Sequence, residues 1–395
     1  MKKYFFVVPL LICLAFPECR IAAGQWDRLE RFIGPQDSVL IADANGKILF
    51  SKNGKIPRMP ASTLKTFTAL MARHYLGDDF RFVTEFWMDE KENLIIKGYG
   101  DPLLISEVLP QIAKSVHEKT DRFHDLILDD SHFEPVIIPG VTSTLNPYDS
   151  PNGALCVNFN TVNFRRASGE YVSAEPQTPL LPFVLDRVRN SGLKQERIVL
   201  SAENKETLFY AGHLLHWFLK KEGVQSDGDI KTGTVQPGKD RLIYRHFSDF
   251  SLDQVIVRLM EYSNNFIANQ LFLTAGIKAY GPPGNLEKGR KAAAVYAKNV
   301  LGLEGIEIDE GSGISRNNRI SPQQMLKVLE EFEPWRHLMR HEGREFYKTG
   351  SLTGVKSRAG YIESQDGSLY RFAVLINTPG KTTDPVMKEI LRMLP

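Results

Sequence analysis

Five side chains have the types and spacings needed for serine acylation without a histidine: Ser62 and Lys65, Ser263 and Asn265, and Lys348. A serine and a lysine three apart on a helix lie on one face, so a neutral amine can take the hydroxyl proton. A serine at a helix start also sits where backbone N–H groups and the helix dipole favour a developing oxyanion. Lys348, Thr349 and Gly350, followed by Ser351, form a Lys-Thr-Gly strand. There the cation and hydroxyls suit a substrate carboxylate, and the glycine lets substrate backbone approach. A Ser-x-Asn loop closes the other wall and relays protons.

Each pattern recurs. Ser-x-x-Lys also stands at Ser191/Lys194, Ser-x-Asn also starts at Ser51, Ser150 and Ser315, and Lys-Thr-Gly also starts at Lys231. Chain order alone leaves six triples, so context decides. Ser62 follows Pro60-Ala61 and opens an amphipathic helical pattern, with Leu64, Phe67, Leu70, Met71 and Tyr75 in phase and Gly77 to end it. The plain alternative is an N-cap serine with an unrelated lysine. Ser191 lies in the turn sequence "RNSGLKQER", where Lys194 does not share a helical face with it. Ser263 falls between two helical patterns, where a rigid loop can face a cleft or simply connect helices. Ser150 lies in a turn-rich loop, Ser51 precedes Ser62, and Ser315 follows a Gly-rich turn.

The elements that must position these groups show a division. "SVLIADANGKILFS" reads as two strands joined by a two-residue Asn45-Gly46 turn. From about Arg81 to Phe250 the chain is strand-like and irregular, with one helix near "ETLFYAGHLLHWFLKKEG". Helices return at Ser251, which stands at capping-box spacing from Gln254. The chain closes on a hairpin turning at Asp366-Gly367 and an amphipathic helix, "DPVMKEILRMLP". The two ends therefore share a character that the middle lacks. The simplest architecture is a discontinuous α/β domain from residues 25–80 and 251–395, with residues 81–250 inserted as one or more mostly-β modules. Lys348 leads into the closing hairpin of that domain, whereas Lys231 belongs to the insertion.

The first residues read as a signal peptide over residues 1–24: Lys2-Lys3, the uncharged apolar run Tyr4–Phe16, Pro17, then Ala22-Ala23-Gly24. A retained anchor is the alternative, but the run of 13 residues falls short of the roughly 20 that span a bilayer. No later stretch is apolar enough to span, so a soluble exported protein without a stable membrane anchor is expected. Composition is 42% hydrophobic and 24% charged, as in ordinary globular proteins, and a net charge of +2 gives no reason to expect nucleic acid as a partner. Cys13 and Cys19 lie in the leader, which leaves Cys156 as a buried small hydrophobe with no disulfide. His213/His216 and His337/His341 lack the glutamate placed between histidines in zinc proteases, so neither metal nor cofactor is expected.

With these residues in hand, the chain resembles the D-alanyl-D-alanine carboxypeptidase/endopeptidase family of low-molecular-mass penicillin-binding proteins, in the branch with a large insertion between the first two motifs. Here 197 residues separate Lys65 from Ser263. "GYGDPLL", "LILDDSHF", "ALCVNFNTV", "EGSGISRNNRIS" and "KTGSLTGV" with "AGYI" resemble further family segments. The resemblance implies a penicillin-binding/β-lactamase-like transpeptidase domain, an antiparallel sheet flanked by helices. It implies hydrolysis of peptidoglycan stem peptides through an acyl-enzyme, inhibition by β-lactams, and a periplasmic or wall-associated location. Ser62 would be the nucleophile and Lys65 its base, with Lys348 depressing the pKa of Lys65. Ser263 and Asn265 would position Lys65 and the substrate amide. Lys348, Thr349 and Ser351 would hold the terminal carboxylate, backed by Gly350, and Arg316 would meet an acidic part of the peptide. The amides of Ser62 and Ser351 would form the oxyanion hole. Two departures stand out: Ser351 replaces the usual threonine, and only 34 residues separate Gly313 from Lys348, fewer than in relatives. An altered cleft wall is the expected consequence. A β-lactamase or esterase on this scaffold, and a catalytically weak wall-binding protein, are the alternative readings.

Overall fold

The computed structural model describes residues 26–142 and 144–395. The expected signal peptide lies outside the described residues.

The two chain ends meet in one six-stranded sheet. Its order is Arg340–Glu342, Glu345–Leu352, Val355–Glu363, Leu369–Ile376, Ser38–Ala42, Ile48–Lys52. Every pairing is antiparallel. The seam between the ends is the register Ser38↔Leu375 to Ala42↔Arg371. The first hairpin forms where the alternation places it, but its turn is not the two-residue one that Asn45-Gly46 favours. The Asp43 carboxylate accepts from the amides of Asn45 and Lys47, each at 2.9 Å. Among residues 43–47 only Gly46 takes a positive φ, +80°. An aspartate-closed turn has displaced the tighter one.

One sheet face packs against Asp27–Glu30 and Asp384–Met393 through Leu29, Val374, Ile376 and Ile390. The other face carries the helices Lys65–Leu76, Leu252–Tyr262, Asn265–Tyr280, Leu286–Asn299 and Pro322–Phe332. The capping box at Ser251/Gln254 is present, with the serine side chain accepting from the glutamine amide and the glutamine side chain accepting from the serine amide. Lys65–Leu76 differs from its amphipathic pattern, because every residue from Lys65 to Arg73 is buried. It runs through the middle of the helical layer, among Asn265–Tyr280, Pro322–Phe332, Leu252–Tyr262 and Leu286–Asn299, so its polar face is interior as well. Thr68 accordingly donates to the Gly311 carbonyl at 2.6 Å rather than to water.

Residues 81–250, expected to be mostly β, hold ten strands and three α-helices among the described residues. The physical reason is parallel pairing. In the five-stranded sheet ordered Ile230–Thr232, Leu126–Asp129, Leu94–Gly98, Val83–Met88, Arg241–Phe247, the first three strands run parallel. Parallel neighbours need a crossover, and the helices Leu109–His117 and Glu206–Glu222 lie on those connections. Their apolar faces share a core with the sheet through Ile96, Leu128, Ile112 and Leu214. A three-stranded antiparallel sheet, Glu170–Ser173, Thr161–Ala167, Gln195–Val199, completes the region. Loops of residues 81–250 stitch the region to Asn265–Tyr280: Asn152 Nδ2 donates to the Phe266 carbonyl at 3.0 Å, and Gln270 Nε2 donates to the carbonyls of Gly100 and Gly153 at 3.1 and 2.9 Å.

Candidate active site

Ser62 is the second residue of a 3₁₀ turn, Ala61–Leu64, that runs straight into the central helix. The turn is entered through Ala61 at φ +46°, the left-handed region, which costs a non-glycine residue roughly 1–2 kcal/mol. The surroundings enforce it. The Ala61 carbonyl lies against Gly313, where an added Cβ would come within 2.0 Å. The Pro60 carbonyl accepts from Ser357 Oγ at 2.5 Å and from Thr63 Oγ1 at 2.7 Å. Backbone strain held in place by packing is a mark of functional sites.

Lys65 opens the α-helix and is fully buried. Its Nζ lies 2.8 Å from Ser62 Oγ, 2.7 Å from Asn265 Oδ1 and 2.8 Å from the Ser312 carbonyl. Asn265 Nδ2 donates to the Tyr148 carbonyl at 3.2 Å, which fixes its Oδ1 as the atom facing Lys65. Two of the three partners can only accept; the third is a hydroxyl that can donate. A neutral amine, with two protons and one lone pair, satisfies that set completely. Burial pushes the Lys65 amine well below the usual lysine range. The charge of Lys348 adds to this effect, and the Glu310 carboxylate opposes it.

Lys348 is 3% exposed, and its Nζ donates to Ser263 Oγ at 2.8 Å and to the Thr349 carbonyl at 3.0 Å. Burial first, and then the charge of Arg340, lowers its pKa to about 8. Ser263, Asn264 and Asn265 divide their work. Ser263 turns the chain at φ +52°, Asn264 caps the next helix by accepting from the Ile267 amide at 3.0 Å, and Asn265 reaches Lys65. Ser263 is thus held by Lys348, and the contact to Lys65 expected of it is made by Asn265.

The strand Glu345–Leu352 pairs on one side with Val355–Glu363 along its whole length. On the other side, Arg340–Glu342 pairs only with residues 345–347. Among the described residues, 348–351 therefore have no strand neighbour on that edge, which suits an added extended peptide. The short stretch before Lys348 supplies this abbreviated outer strand. Gly350 has a different reason from the expected approach of substrate. A Cβ there would lie 2.6 Å from the Ser62 amide nitrogen and 2.3 Å from Ser357 Oγ. Gly350→Ala is expected to destabilise the fold by about 1–3 kcal/mol through this overpacking, read as a lowered urea midpoint. An unchanged midpoint would show that the strand can move away from the serine.

These groups meet in a cleft of about 870 Å³ lined by Ser62, Ser263, Asn265, Thr349, Gly350 and Ser351, with Arg316 and, from the middle region, Tyr148. Arg316 donates to the Thr353 carbonyl at 2.7 Å. Of the other copies of the motifs, Ser315 and Asn317 also line this cleft, whereas those at Ser191 and Lys231 lie elsewhere. Ser191 ends the helix Leu185–Asn190 and donates to the Val188 carbonyl at 2.6 Å. Lys231 sits on the outer strand of the five-stranded sheet, ion-paired to Asp125 at 2.6 Å. His216 hydrogen-bonds Ser226 Oγ at 2.6 Å, and Cys156 is a buried free thiol. Among the described residues, no group of three or more His, Cys, Asp or Glu is placed to hold a metal, and no helix is long and apolar enough to cross a membrane.

Four contributors went unread in the sequence: the carbonyls of Ser312 and Tyr148, the buried Glu310, and Lys356, whose Nζ donates to Ser351 Oγ at 3.1 Å. A carbonyl carries no residue-type signal. Glu310 had one in the block "EGSGISRNNRIS", which matched a family segment without revealing a role.

An antiparallel sheet flanked by helices, with the serine–lysine cleft beside its Lys-Thr-Gly strand, is the architecture of the penicillin-binding and β-lactamase-like class. Residues 28–195 and 193–341 match the D-Ala-D-Ala carboxypeptidase 3 (S13) family; the chain belongs to that family, and its activity is serine-type D-Ala-D-Ala carboxypeptidase hydrolysis. It is 27% identical over 407 residues to D-alanyl-D-alanine carboxypeptidase DacB of Haemophilus influenzae, covering 84% of this chain and 83% of that protein. It is 26% identical over 423 residues to the D-alanyl-D-alanine carboxypeptidase of Actinomadura sp. (strain R39), covering 87% and 78%. The fold matches the crystal structure of penicillin binding protein 4 from Haemophilus influenzae, with a TM-score of 0.75 at 22% identity over 93% of this chain and 98% of that one. A structure of that same protein complexed with a β-lactam gives a TM-score of 0.68 at 23% identity, over the same shares of the two chains.

Proposed function

We propose that this enzyme cleaves the D-Ala-D-Ala end, or the D-alanyl cross-link, of peptidoglycan stem peptides through an ester on Ser62. The observation that carries this reading is the partner set of Lys65: two obligate acceptors and the Ser62 hydroxyl, around an amine whose pKa burial lowers well below the usual lysine range. Ser62 Oγ attacks the carbonyl carbon of the penultimate D-alanine as its proton passes to Lys65 Nζ. The amides of Ser62 and Ser351 receive the oxyanion. The C–N bond then breaks, and the departing amine takes a proton from the Ser263 hydroxyl, which is resupplied from the lysines. Water later hydrolyses the ester, releasing the shortened peptide and restoring the serine. Thr349 and Ser351 hold the substrate carboxylate, with the Lys348 charge behind them and the Lys356 ammonium beside Ser351. Arg316 meets an acidic group further along the peptide. β-Lactams acylate the same serine and inhibit. The protein is exported, its leader removed, and works in the periplasm or at the wall. The relatives' activity on D-alanyl-D-alanine supports that location.

A pH profile tests the role of Lys348. Its ammonium is charged below about 8 and neutral above. The carboxylate-binding form is therefore present at lower pH and lost as pH rises, so kcat/KM for a peptide ending in D-Ala-D-Ala falls on the alkaline side with an apparent pKa of about 8. The C-terminal methyl ester of that peptide, with no carboxylate to hold, lacks this limb. An alkaline limb of equal size for acid and ester would contradict the assignment.

A further inference from the structure

Glu310 is fully buried, and among the described residues it has no ion-pair partner. Its two oxygens instead gather one loop. They accept from the amides of Ser312 and Gly313, each at 2.7 Å, from Ser312 Oγ at 2.6 Å, from Asn318 Nδ2 at 2.8 Å and from the Ser315 amide at 3.3 Å. That loop contributes two parts of the site. The Ser312 carbonyl receives Lys65 Nζ, and Gly313 presses on the Ala61 carbonyl that sets the serine's turn. The neighbouring Asp309 also accepts from this loop, from Ser315 Oγ at 2.5 Å and Asn317 Nδ2 at 3.3 Å, but its other oxygen is ion-paired to Arg290 at 2.6 Å, and the groups it holds are not the ones that meet Lys65 and Ala61.

We propose that Glu310 is a positioning residue for the proposed proton transfer: it fixes the Ser312–Asn318 loop against Lys65 and Ser62, and its buried negative charge stabilises the ammonium that Lys65 becomes. The inference rests on the reading of Lys65 as proton acceptor. The groups facing Lys65 are Ser62, Asn265, the Ser312 carbonyl, and the charges of Lys348 and Glu310. When the Ser62 Oγ–carbon bond forms, the hydroxyl proton bonds to the Lys65 lone pair and creates a second cation beside Lys348. A fixed buried carboxylate offsets that gain of charge without reorganising. The same carboxylate opposes the depression of Lys65 in the resting enzyme, so its loss leaves the amine neutral to lower pH.

The test is the rate of penicilloyl-enzyme formation against pH, in the full chain, for wild type, Glu310→Gln, Glu310→Asp and Lys65→Ala, with thermal melts alongside. Glu310→Gln keeps the shape of the side chain and loses the charge. Its plateau rate is expected to fall by about 10–100-fold, with the acid limb displaced to lower pH. Glu310→Asp keeps the charge, so its limb is expected to stay in place with a rate within about tenfold of wild type. A Glu310→Gln enzyme that is slowed with an unmoved limb would reduce Glu310 to a structural group, and wild-type behaviour would dismiss it altogether. If Glu310→Gln does not fold, Glu310→Asp decides: a displaced limb, or a rate as low as that of Lys65→Ala, overturns the proposal. Intact acylation in Lys65→Ala would instead overturn the underlying reading of Lys65.

Discussion

Ser62→Ala is expected to abolish both D-alanine release and penicilloyl-enzyme formation, by on the order of 10⁶-fold in kcat, the scale on which loss of an acyl-accepting serine acts. Ser191→Ala is expected to leave both unchanged. The two serines share a Ser-x-x-Lys spelling but not an environment. Ser62 Oγ lies 2.8 Å from a buried amine whose remaining partners can only accept. Ser191 Oγ donates to the Val188 carbonyl at the end of a short helix. Among the described residues the Ser62 hydroxyl has Lys65 as its hydrogen-bond partner, so the alanine variant should fold, and a melting temperature near wild type verifies that. Residual D-alanine release above about one per cent of wild type would assign the chemistry to another group.

Lys348→Ala carries the second large effect: a fall of about 10²–10³-fold in acylation. Its amine is buried, donates to Ser263 Oγ, and is one of the two charges that act on Lys65. Removing it strands the Ser263 hydroxyl and takes the cation from behind Thr349 and Ser351. Lys231→Ala, at the better-spelled "KTGT", is expected to change acylation less than twofold. That lysine is half-exposed on an outer strand, and its ion pair with Asp125 is of the surface kind, weakened by solvent screening. Stopped-flow acylation of the two variants separates them. Equal losses would mean that the Lys231 strand reaches the cleft.

Much of this arrangement was legible because local signals and chain order agreed. The capping box at Ser251, the closing hairpin and the Gly77 stop are readable from three or four residues each. Choosing Lys348 over Lys231 needed only the expectation that both chain ends build one sheet, and Ser38↔Leu375 is that seam. Another signal of equal quality went unread. Ser321 and Gln324 form a second capping box, with Pro322 at the first helical position of Pro322–Phe332. The parallel strands of residues 81–250 were not legible, because their partners lie far apart in sequence and a buried parallel strand shows no alternation. The full burial of Lys65–Leu76 was hidden for a related reason: Thr66, Thr68 and Arg73 look like an exposed face until the surrounding helices are placed. In the site itself, residue types announced the serine, the asparagine and the lysines. They could not announce that Gly350 stands clear for the Ser62 amide, or that a backbone carbonyl completes the shell of Lys65.

The most direct test is the mass of the intact protein after incubation with benzylpenicillin, followed by proteolysis and mapping of the modified peptide. A single penicilloyl adduct is expected on the peptide containing Ser62, absent in Ser62→Ala and retained in Ser191→Ala. No adduct on the wild-type protein, or an adduct that survives Ser62→Ala, would contradict Ser62 as the acylated nucleophile.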